Sequence, residues 1–134
     1  MPKTEDKNLP IMSVVEVKKA RAFHESIPQY QVTPLADLKN MAEYLGLAKA
    51  CVKDESYRFG LNAFKVLGGS YAIARYIAKE TKRDISQMPY SVLTSKELRD
   101  EFGQATFFSA TDGNHGRGVA WAANRLGQKC VIRM

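Results

Sequence analysis

The sequence predicts an α/β fold in which a partial open parallel sheet is flanked by helices. Three short apolar runs, at residues 49–54, 105–110 and 129–134, have the length and composition of strands buried in a sheet. A run with helical periodicity separates the last two, and a strand, a helix and a strand joined by short connections form a parallel pair. The chain has 134 residues, which is enough for one core of modest size.

Two helices are predicted ahead of the first strand. Ser13 followed by Glu16 is a capping-box pattern, and the helical spacing after it continues to about residue 24. Thr33 before Pro34 predicts the start of a second helix, because a capping residue often precedes a proline in the first helical position. Gly46 then marks the end of this helix.

A long helix is predicted after the first strand, with Asn62 as its cap. Spacings of three and four predict its inner face, which consists of Phe64, Leu67, Tyr71, Ala74 and Ala78. The pair Gly68-Gly69 costs a helix about 1 kcal/mol per glycine relative to alanine. We therefore expect a neighbouring strand or a ligand to approach closely at this pair.

The rest of the chain predicts two more helices. Residues 80–104 are the least regular stretch, with a short helix after Thr94, whose capping partner is Glu97. The helix between the last two strands ends at Gly127. Its apolar stripe consists of Val119, Ala120, Ala123 and Leu126.

Composition and charge exclude several classes of protein. The net charge is +6 at pH 7, but the basic residues are scattered and not interleaved with aromatic ones, so no nucleic-acid partner is expected. No apolar run approaches the ~18 residues of a membrane span, and the N-terminal residues are charged, which predicts a cytoplasmic protein without a membrane partner. Cys51 and Cys130 are predicted to be inert, buried strand residues, and no metal site is expected.

Lys65 is the first candidate for chemistry. It would be the third residue of the helix capped by Asn62, where the helix dipole favours the neutral form of an amine, and Phe64 adds apolar surroundings. A lysine that loses its proton easily can form a Schiff base with an aldehyde. The alternative is an ordinary lysine on the solvent face of a helix.

The second candidate is the turn at residues 111–116, Thr-Asp-Gly-Asn-His-Gly, between a strand and a helix. Its glycines permit unusual backbone angles, and the amides at the start of a helix bind anions such as a carboxylate. The alternative is an ordinary turn capped by Asp112 or Asn114. Both candidates follow predicted parallel strands, and open α/β sheets bind ligands at the carboxyl ends of their strands.

Several motifs resemble those of the threonine dehydratase and tryptophan synthase β family, the fold-type-II pyridoxal-phosphate enzymes. Asn-Ala-Phe-Lys-Val-Leu-Gly-Gly (62–69) is similar to the motif around the family's cofactor lysine, and Thr-Pro-Leu (33–35) and Lys-Asp-Glu (53–55) are similar to segments before it. Gly-Asn-His-Gly (113–116) resembles the family's turn of that composition. Within the family, the closer resemblance is to the diaminopropionate ammonia-lyases, which residues 20–24, 28–30, 57–65 and 111–118 resemble. Asp112 is the discriminating position, because the dehydratases commonly have serine or a small residue there.

The resemblance implies the N-terminal part of such an enzyme and a role for each site residue. Lys65 would hold pyridoxal 5'-phosphate and then accept the Cα proton of L-2,3-diaminopropionate, and Asp112 would accept that of the D-isomer. Asn114 would bind the ring hydroxyl of the cofactor. The small amino-acid substrate would be bound at Asp112. The carboxylate of the substrate would be bound by the backbone of Thr111, Gly113 and His115. The implied reaction is α,β-elimination to pyruvate and ammonia, and the implied assembly is a homodimer.

The chain departs from the family in its length. The family's glycine-rich phosphate loop lies beyond the position matching Met134, and the Gly-Gly pair of this chain lies inside a predicted helix. Residues 1–12 are expected to form a flexible tail, and residues 13–134 an incomplete catalytic region. Two alternatives stay open: an inactive fragment that does not bind the cofactor stably, and a serine/threonine dehydratase-like lyase, which Asp112 disfavours.

Overall fold

The computed structural model describes residues 10–111 and 113–134, apart from the side chain of Ile11. The helices and strands are, in chain order, α1 (Val14–Glu25), β1 (Leu35–Asp37), α2 (Lys39–Tyr44), β2 (Cys51–Lys53), α3 (Lys65–Glu80), α4 (Tyr90–Leu93), α5 (Lys96–Phe102), β3 (Thr106–Ala110), α6 (Gly113–Arg125) and β4 (Lys129–Arg133). No helix within these two ranges combines the length and the apolar character that crossing a membrane requires.

The strand–helix–strand unit at the end of the chain is confirmed. β3 and β4 pair in parallel, with Phe107 opposite Cys130, and α6 connects them. Burial alternates along both strands, as expected for a sheet with one face on the core. The fold is therefore α/β, with a small parallel sheet and flanking helices.

The predicted strand at residues 49–54 does not belong to this parallel sheet. β2 instead pairs antiparallel with β1, with Leu35 opposite Lys53, in a separate two-stranded sheet. Cys51 is exposed on it, so its predicted burial is wrong. The expectation that both candidate sites follow strands of one parallel sheet is therefore wrong as well.

The helix predicted at Thr33-Pro34 begins later. Residues 35–37 form β1, and α2 starts at Lys39 without a side-chain cap. The physical reason is that a residue before proline is pushed towards extended backbone angles, which here continue into a strand. Gly46, with a φ of 64°, follows the end of α2 as expected.

Two predicted caps have different outcomes. In α1, the hydroxyl of Ser13 accepts a hydrogen bond from the amide of Glu16 at 3.3 Å, which confirms the first helix. The short helix after Thr94 is also present, but Ser95 is the residue that caps it, through a bond from the amide of Leu98.

The core lies between α3, α6 and the segments packed on them. The predicted inner face of α3 is partly wrong, because Phe64 is 60% exposed. The buried residues of α3 instead include Val66, Ile73 and Ile77, which the predicted face did not contain. Val66 lies against Gly118 of α6. Gly69 packs on this side too: a Cβ there would lie 3.2 Å from the side chain of Val119. The close neighbour expected at Gly68-Gly69 is thus a helix.

α1 is attached to α3 through His24. Its Nε2–H donates to the backbone carbonyl of Leu67 at 2.8 Å, and the ring stacks on Tyr30. Burial lowers the pKa of His24, and the nearby guanidinium of Arg58 lowers it further, against the partial effect of the bond to Leu67. The folded protein therefore disfavours the charged imidazolium.

This shift predicts a pH dependence of stability. Because the unfolded chain binds the proton of His24 first, the free energy of unfolding should fall as the pH is lowered through 6.5, the ordinary value of the group. The free energy of unfolding should fall by about 1.4 kcal/mol for each pH unit by which the pKa of His24 in the unfolded chain exceeds that in the folded protein. Urea denaturation at a series of pH values, for the wild type and His24→Gln, measures it. Parallel curves for the two proteins would contradict the assignment to His24.

Candidate functional site

Lys65 is the first residue of α3 and is exposed. The predicted cap is wrong: Asn62 has a φ of 55°, in the left-handed region, and the residue at the cap position is Phe64, which makes no side-chain capping bond. Lys65 thus lies at the N-terminus of a helix that has no side-chain cap. The apolar cover expected from Phe64 is not present among the described residues, since its ring is largely exposed.

The second candidate segment forms the start of α6. Gly113, with a φ of 51°, is the first helical residue, Asn114 is exposed and His115 is half-buried. The amide of Thr111 donates to the carbonyl of Arg133 at 3.0 Å and so extends the β3–β4 pairing. Asp112 lies outside the described residues.

The packing of α3 on α6 brings the two segments together. A Cβ on Gly118 would lie 2.9 Å from both the Cα and the amide nitrogen of Val66, and 3.3 Å from the carbonyl carbon of Lys65. Real Cβ atoms do not approach other atoms this closely, so only glycine fits at this position. The backbone at Lys65 therefore touches the second turn of α6, just after Asn114 and His115.

The loop before α3 contains a buried charge that the sequence did not reveal. Arg58 is buried, and its guanidinium binds the carboxylate of Glu55 at two points, Nε to Oε2 at 2.8 Å and Nη2 to Oε1 at 3.0 Å. The hydroxyl of Thr33, also buried, donates to Glu55 at 2.5 Å. The bond from Arg58 is the main cause of the lowered pKa of Glu55. Two members of this cluster, Thr33 and Glu55, belong to the motifs at residues 33–35 and 53–55. Those motifs did not indicate that the two side chains contact each other or Arg58.

The same loop is fixed to α6 by an aromatic contact. The ring of Phe59 stacks on Trp121, with the centroids 4.9 Å apart and the planes at 29°. The guanidinium of Arg125, one turn further along α6, lies over the ring of Trp121, 5.2 Å from its centroid. The segment leading to Lys65 is thus held between the residues around Thr33 on one side and α6 on the other.

An open cleft of about 530 Å³ lies between α3 and β3. Its lining is mostly apolar and includes Gly68, Tyr76 and Phe108, with His115 at the end near the α6 N-terminus. Among the described residues, β3 pairs only with β4, and residues of β3 from Thr106 to Ser109 line the cleft. The cleft therefore opens next to the turn that carries Asn114 and His115.

The residues present fit one end of a pyridoxal phosphate molecule. A primary amine that can react with an aldehyde lies at an exposed helix start, and an exposed side-chain amide, that of Asn114, lies on the helix packed against it. The amides that begin α6 suit a carboxylate. The phosphate end has no comparable glycine-rich loop in the sequence, whose Gly-Gly pair lies inside α3.

Comparison with known proteins gives consistent relatives. The chain is 50% identical over 113 residues to a diaminopropionate ammonia-lyase of Salmonella typhimurium, covering 84% of this chain and 28% of the relative. It is 48% identical over 126 residues to the Escherichia coli enzyme of the same name, covering 93% of this chain and 30% of the relative. The chain thus spans less than a third of the length of these curated relatives.

Solved structures agree. The apo form of the E. coli diaminopropionate ammonia-lyase superposes with a TM-score of 0.81, at 48% identity, covering 92% of this chain and 33% of that one. The same enzyme in complex with D-serine gives a TM-score of 0.82 and covers 31% of that chain. The family described as pyridoxal-phosphate dependent enzymes matches residues 27–134, which include both candidate segments. On this evidence the chain belongs to the family of pyridoxal-phosphate dependent enzymes.

Proposed function

We propose that this chain is part of a pyridoxal-phosphate-dependent ammonia-lyase that converts D- and L-2,3-diaminopropionate to pyruvate and ammonia by α,β-elimination. The observation that carries the proposal is the contact between the α3 and α6 N-termini, where Gly118 meets the backbone of Lys65 and Val66. This contact brings the backbone of Lys65 close to the start of α6, which supports a site that combines the Lys65 amine with the turn at residues 111–116. The names of the two relatives at 48–50% identity support the substrate.

Each site residue then has a defined task. Pyridoxal phosphate, when bound, supplies an electron sink for the negative charge that develops at Cα. Lys65 would hold the cofactor through its amine, and the same amine would accept the Cα proton of the L-isomer. Asn114 would donate a hydrogen bond to the oxygen of the hydroxyl group on the cofactor's ring. The backbone at Thr111, Gly113 and His115 surrounds the substrate carboxylate, which the amides at the start of α6 bind.

Asp112 is proposed as the proton acceptor for the D-isomer, on the face of the substrate opposite Lys65. The two stereoisomers present their Cα protons on opposite faces, so a lyase that accepts both needs two bases. Asp112 directly precedes α6 in the sequence, and its carboxylate is the only one between residues 102 and 134. An aspartate here also suits a substrate with a cationic β-amino group, which disfavours a serine/threonine dehydratase.

The Asp112→Asn substitution tests this assignment. An amide cannot accept the proton, so kcat for the D-isomer should fall by about 10²- to 10⁴-fold, the usual contribution of a general base, while kcat for the L-isomer changes far less. Because residues 1–134 carry no glycine-rich phosphate loop, we propose that they bind the cofactor weakly alone. Turnover is therefore measured in a chimera in which this chain replaces the matching segment of the E. coli enzyme.

Asp100→Asn is the matched control, because Asp100 is an exposed carboxylate paired with Lys96 on α5. It should leave the turnover of both isomers unchanged. Equal losses for the two isomers in the Asp112 variant would indicate a structural cap instead of a base. A wild-type chimera that binds pyridoxal phosphate but releases no pyruvate from either isomer would contradict the proposed reaction itself.

We further propose a homodimer and a cytoplasmic location for the lyase. A group of large apolar side chains around β1, α2 and β2 is exposed in this chain, as is usual for a surface that other protein covers. Its members are Leu35, Met41, Tyr44, Leu45, Leu47 and Val52.

A further inference from the structure

We propose that Arg58 is the positioning residue that fixes the N-terminus of α3, and with it the amine of Lys65, against α6. The role of Lys65 in this statement rests on the proposed function, whereas the position of the helix does not. Arg58 lies outside the predicted site, and within the described part of the chain its side chain makes no hydrogen bond to a group assigned to the chemistry. It acts through the loop that joins β2 to α3.

The guanidinium of Arg58 donates hydrogen bonds from each of its nitrogen atoms. All three of its nitrogen atoms donate: Nε and Nη2 to Glu55, Nη1 to the carbonyl of Gln31 at 2.8 Å, and Nη2 also to the hydroxyl of Thr33 at 3.2 Å. It lies over the ring of Tyr30 at 5.2 Å. A planar, forked cation is required for such a set of bonds, and lysine cannot replace it.

The backbone of Arg58 also takes part in the turn. Its amide donates to the carbonyl of Glu55 at 3.1 Å, and its carbonyl accepts from the amide of Leu61 at 2.8 Å. The Arg58 side chain therefore ties a folded turn to the extended segment that contains Gln31 and Thr33.

Strained backbone angles show that this loop needs external support. Phe59 and Asn62, neither of them glycine, have φ values of 50° and 55°. Such conformations persist only when surrounding contacts determine them. The contacts here are those of Arg58 on one side and the stacking of Phe59 on Trp121 on the other. α3 has no side-chain cap at Phe64, so its start is placed by this loop and by its packing on Gly118.

Amide hydrogen exchange of the 134-residue chain, wild type and Arg58→Lys, tests the positioning directly. The amides of Leu61 and Leu67, bonded to the carbonyls of Arg58 and Phe64, should exchange roughly 10- to 100-fold faster in the variant, the range for losing one hydrogen bond to a charged group. The amide of Thr81, at the far end of α3, should be unchanged. Uniform acceleration along α3 would mean a purely global loss of stability and would overturn the proposal, as would no change at Leu61 and Leu67.

Arg21→Lys is the matched control. Arg21 donates to Glu25 at 2.8 Å, the same distance as in the Arg58–Glu55 pair, but on the exposed face of α1. It should leave the exchange of all three amides unchanged. Should Arg58→Lys fail to fold, Thr33→Val removes one bonding partner of both Arg58 and Glu55 while keeping the size of the side chain. It should give the same local pattern with a smaller acceleration.

A second readout reports on the amine itself. The chain is incubated with pyridoxal phosphate and reduced with borohydride, and the label on Lys65 is compared with that on Lys79, an exposed lysine in the last turn of α3. The wild type should favour Lys65, and Arg58→Lys should bring the ratio towards one. An unchanged preference in the variant contradicts the proposal for Arg58. A wild type without preference contradicts the proposed role of Lys65, and exchange at Leu61 and Leu67 then decides the role of Arg58.

Discussion

Replacing Lys65 with alanine should abolish covalent attachment of pyridoxal phosphate and almost all lyase activity in the chimera. The variant loses the amine that holds the cofactor and the base for the L-isomer, so turnover of that isomer should fall by at least about 10²- to 10⁴-fold. The loss for the D-isomer should also be large, since the cofactor is no longer held in place. Borohydride reduction followed by peptide mapping measures attachment, and pyruvate release measures turnover.

Lys79→Ala is the control for this experiment, because Lys79 is another lysine of α3, four turns from the site. It should retain both the label and the activity. Recovery of the label on Lys53 or Lys79 in the wild type, in place of Lys65, would refute the assignment. Lys53 is a meaningful competitor, since its Nζ lies close to the site loop and donates to the carbonyl of Thr33.

The second large effect is expected from Gly118→Ala, in α6. The added Cβ would lie 2.9 Å from backbone atoms of Val66, and backbone cannot move aside as a flexible side chain can. α3 and α6 must then separate, with a loss of roughly 1–3 kcal/mol of stability, the usual cost of overpacking a core. The shift would also carry Lys65 away from the start of α6. Urea denaturation followed by circular dichroism measures the loss.

Gly68→Ala provides the contrast within α3. A Cβ at Gly68 meets nothing within 4 Å, so the substitution should be neutral or stabilise the helix by up to about 1 kcal/mol through helix propensity. Equal destabilisation by both changes would show that neither effect comes from the contact at Gly118. A stable Gly118→Ala protein would mean that the two helices are packed less tightly than the structure shows.

The parts of the fold predicted correctly are those set by local pattern. The β3–α6–β4 unit follows from alternating strand and helix periodicity, and α1 follows from the capping pattern of Ser13 and Glu16. The errors arise where tertiary contacts decide. The segment after Pro34 forms a strand because it pairs with β2. The buried face of α3 is determined by its packing on α6 and not by the positions of its aromatic residues.

The residue types of the candidate site were predictable from the sequence. The side-chain contacts that hold the loop before Lys65 in place were not. Lys65 and Asn114 stand out because an amine and a helix-start turn are recognisable in sequence. Arg58 and Glu55 do not, because charged residues in a polar loop usually face solvent. Their partners Thr33 and Gln31, from a distant part of the chain, make the burial of Arg58 beside Glu55 possible. Asp112 lies outside the described residues, so its role stays a prediction.

The stacking of Phe59 on Trp121 has a practical consequence. Trp121 is the single tryptophan of the chain, so the intrinsic fluorescence of the protein reports mainly on this one contact. The contact joins the loop before Lys65 to the helix that carries Asn114. Any ligand that moves the loop on α6 would change the emission of one indole whose surroundings are known, without an added dye. The chain therefore carries its own optical probe at the boundary between its two candidate segments.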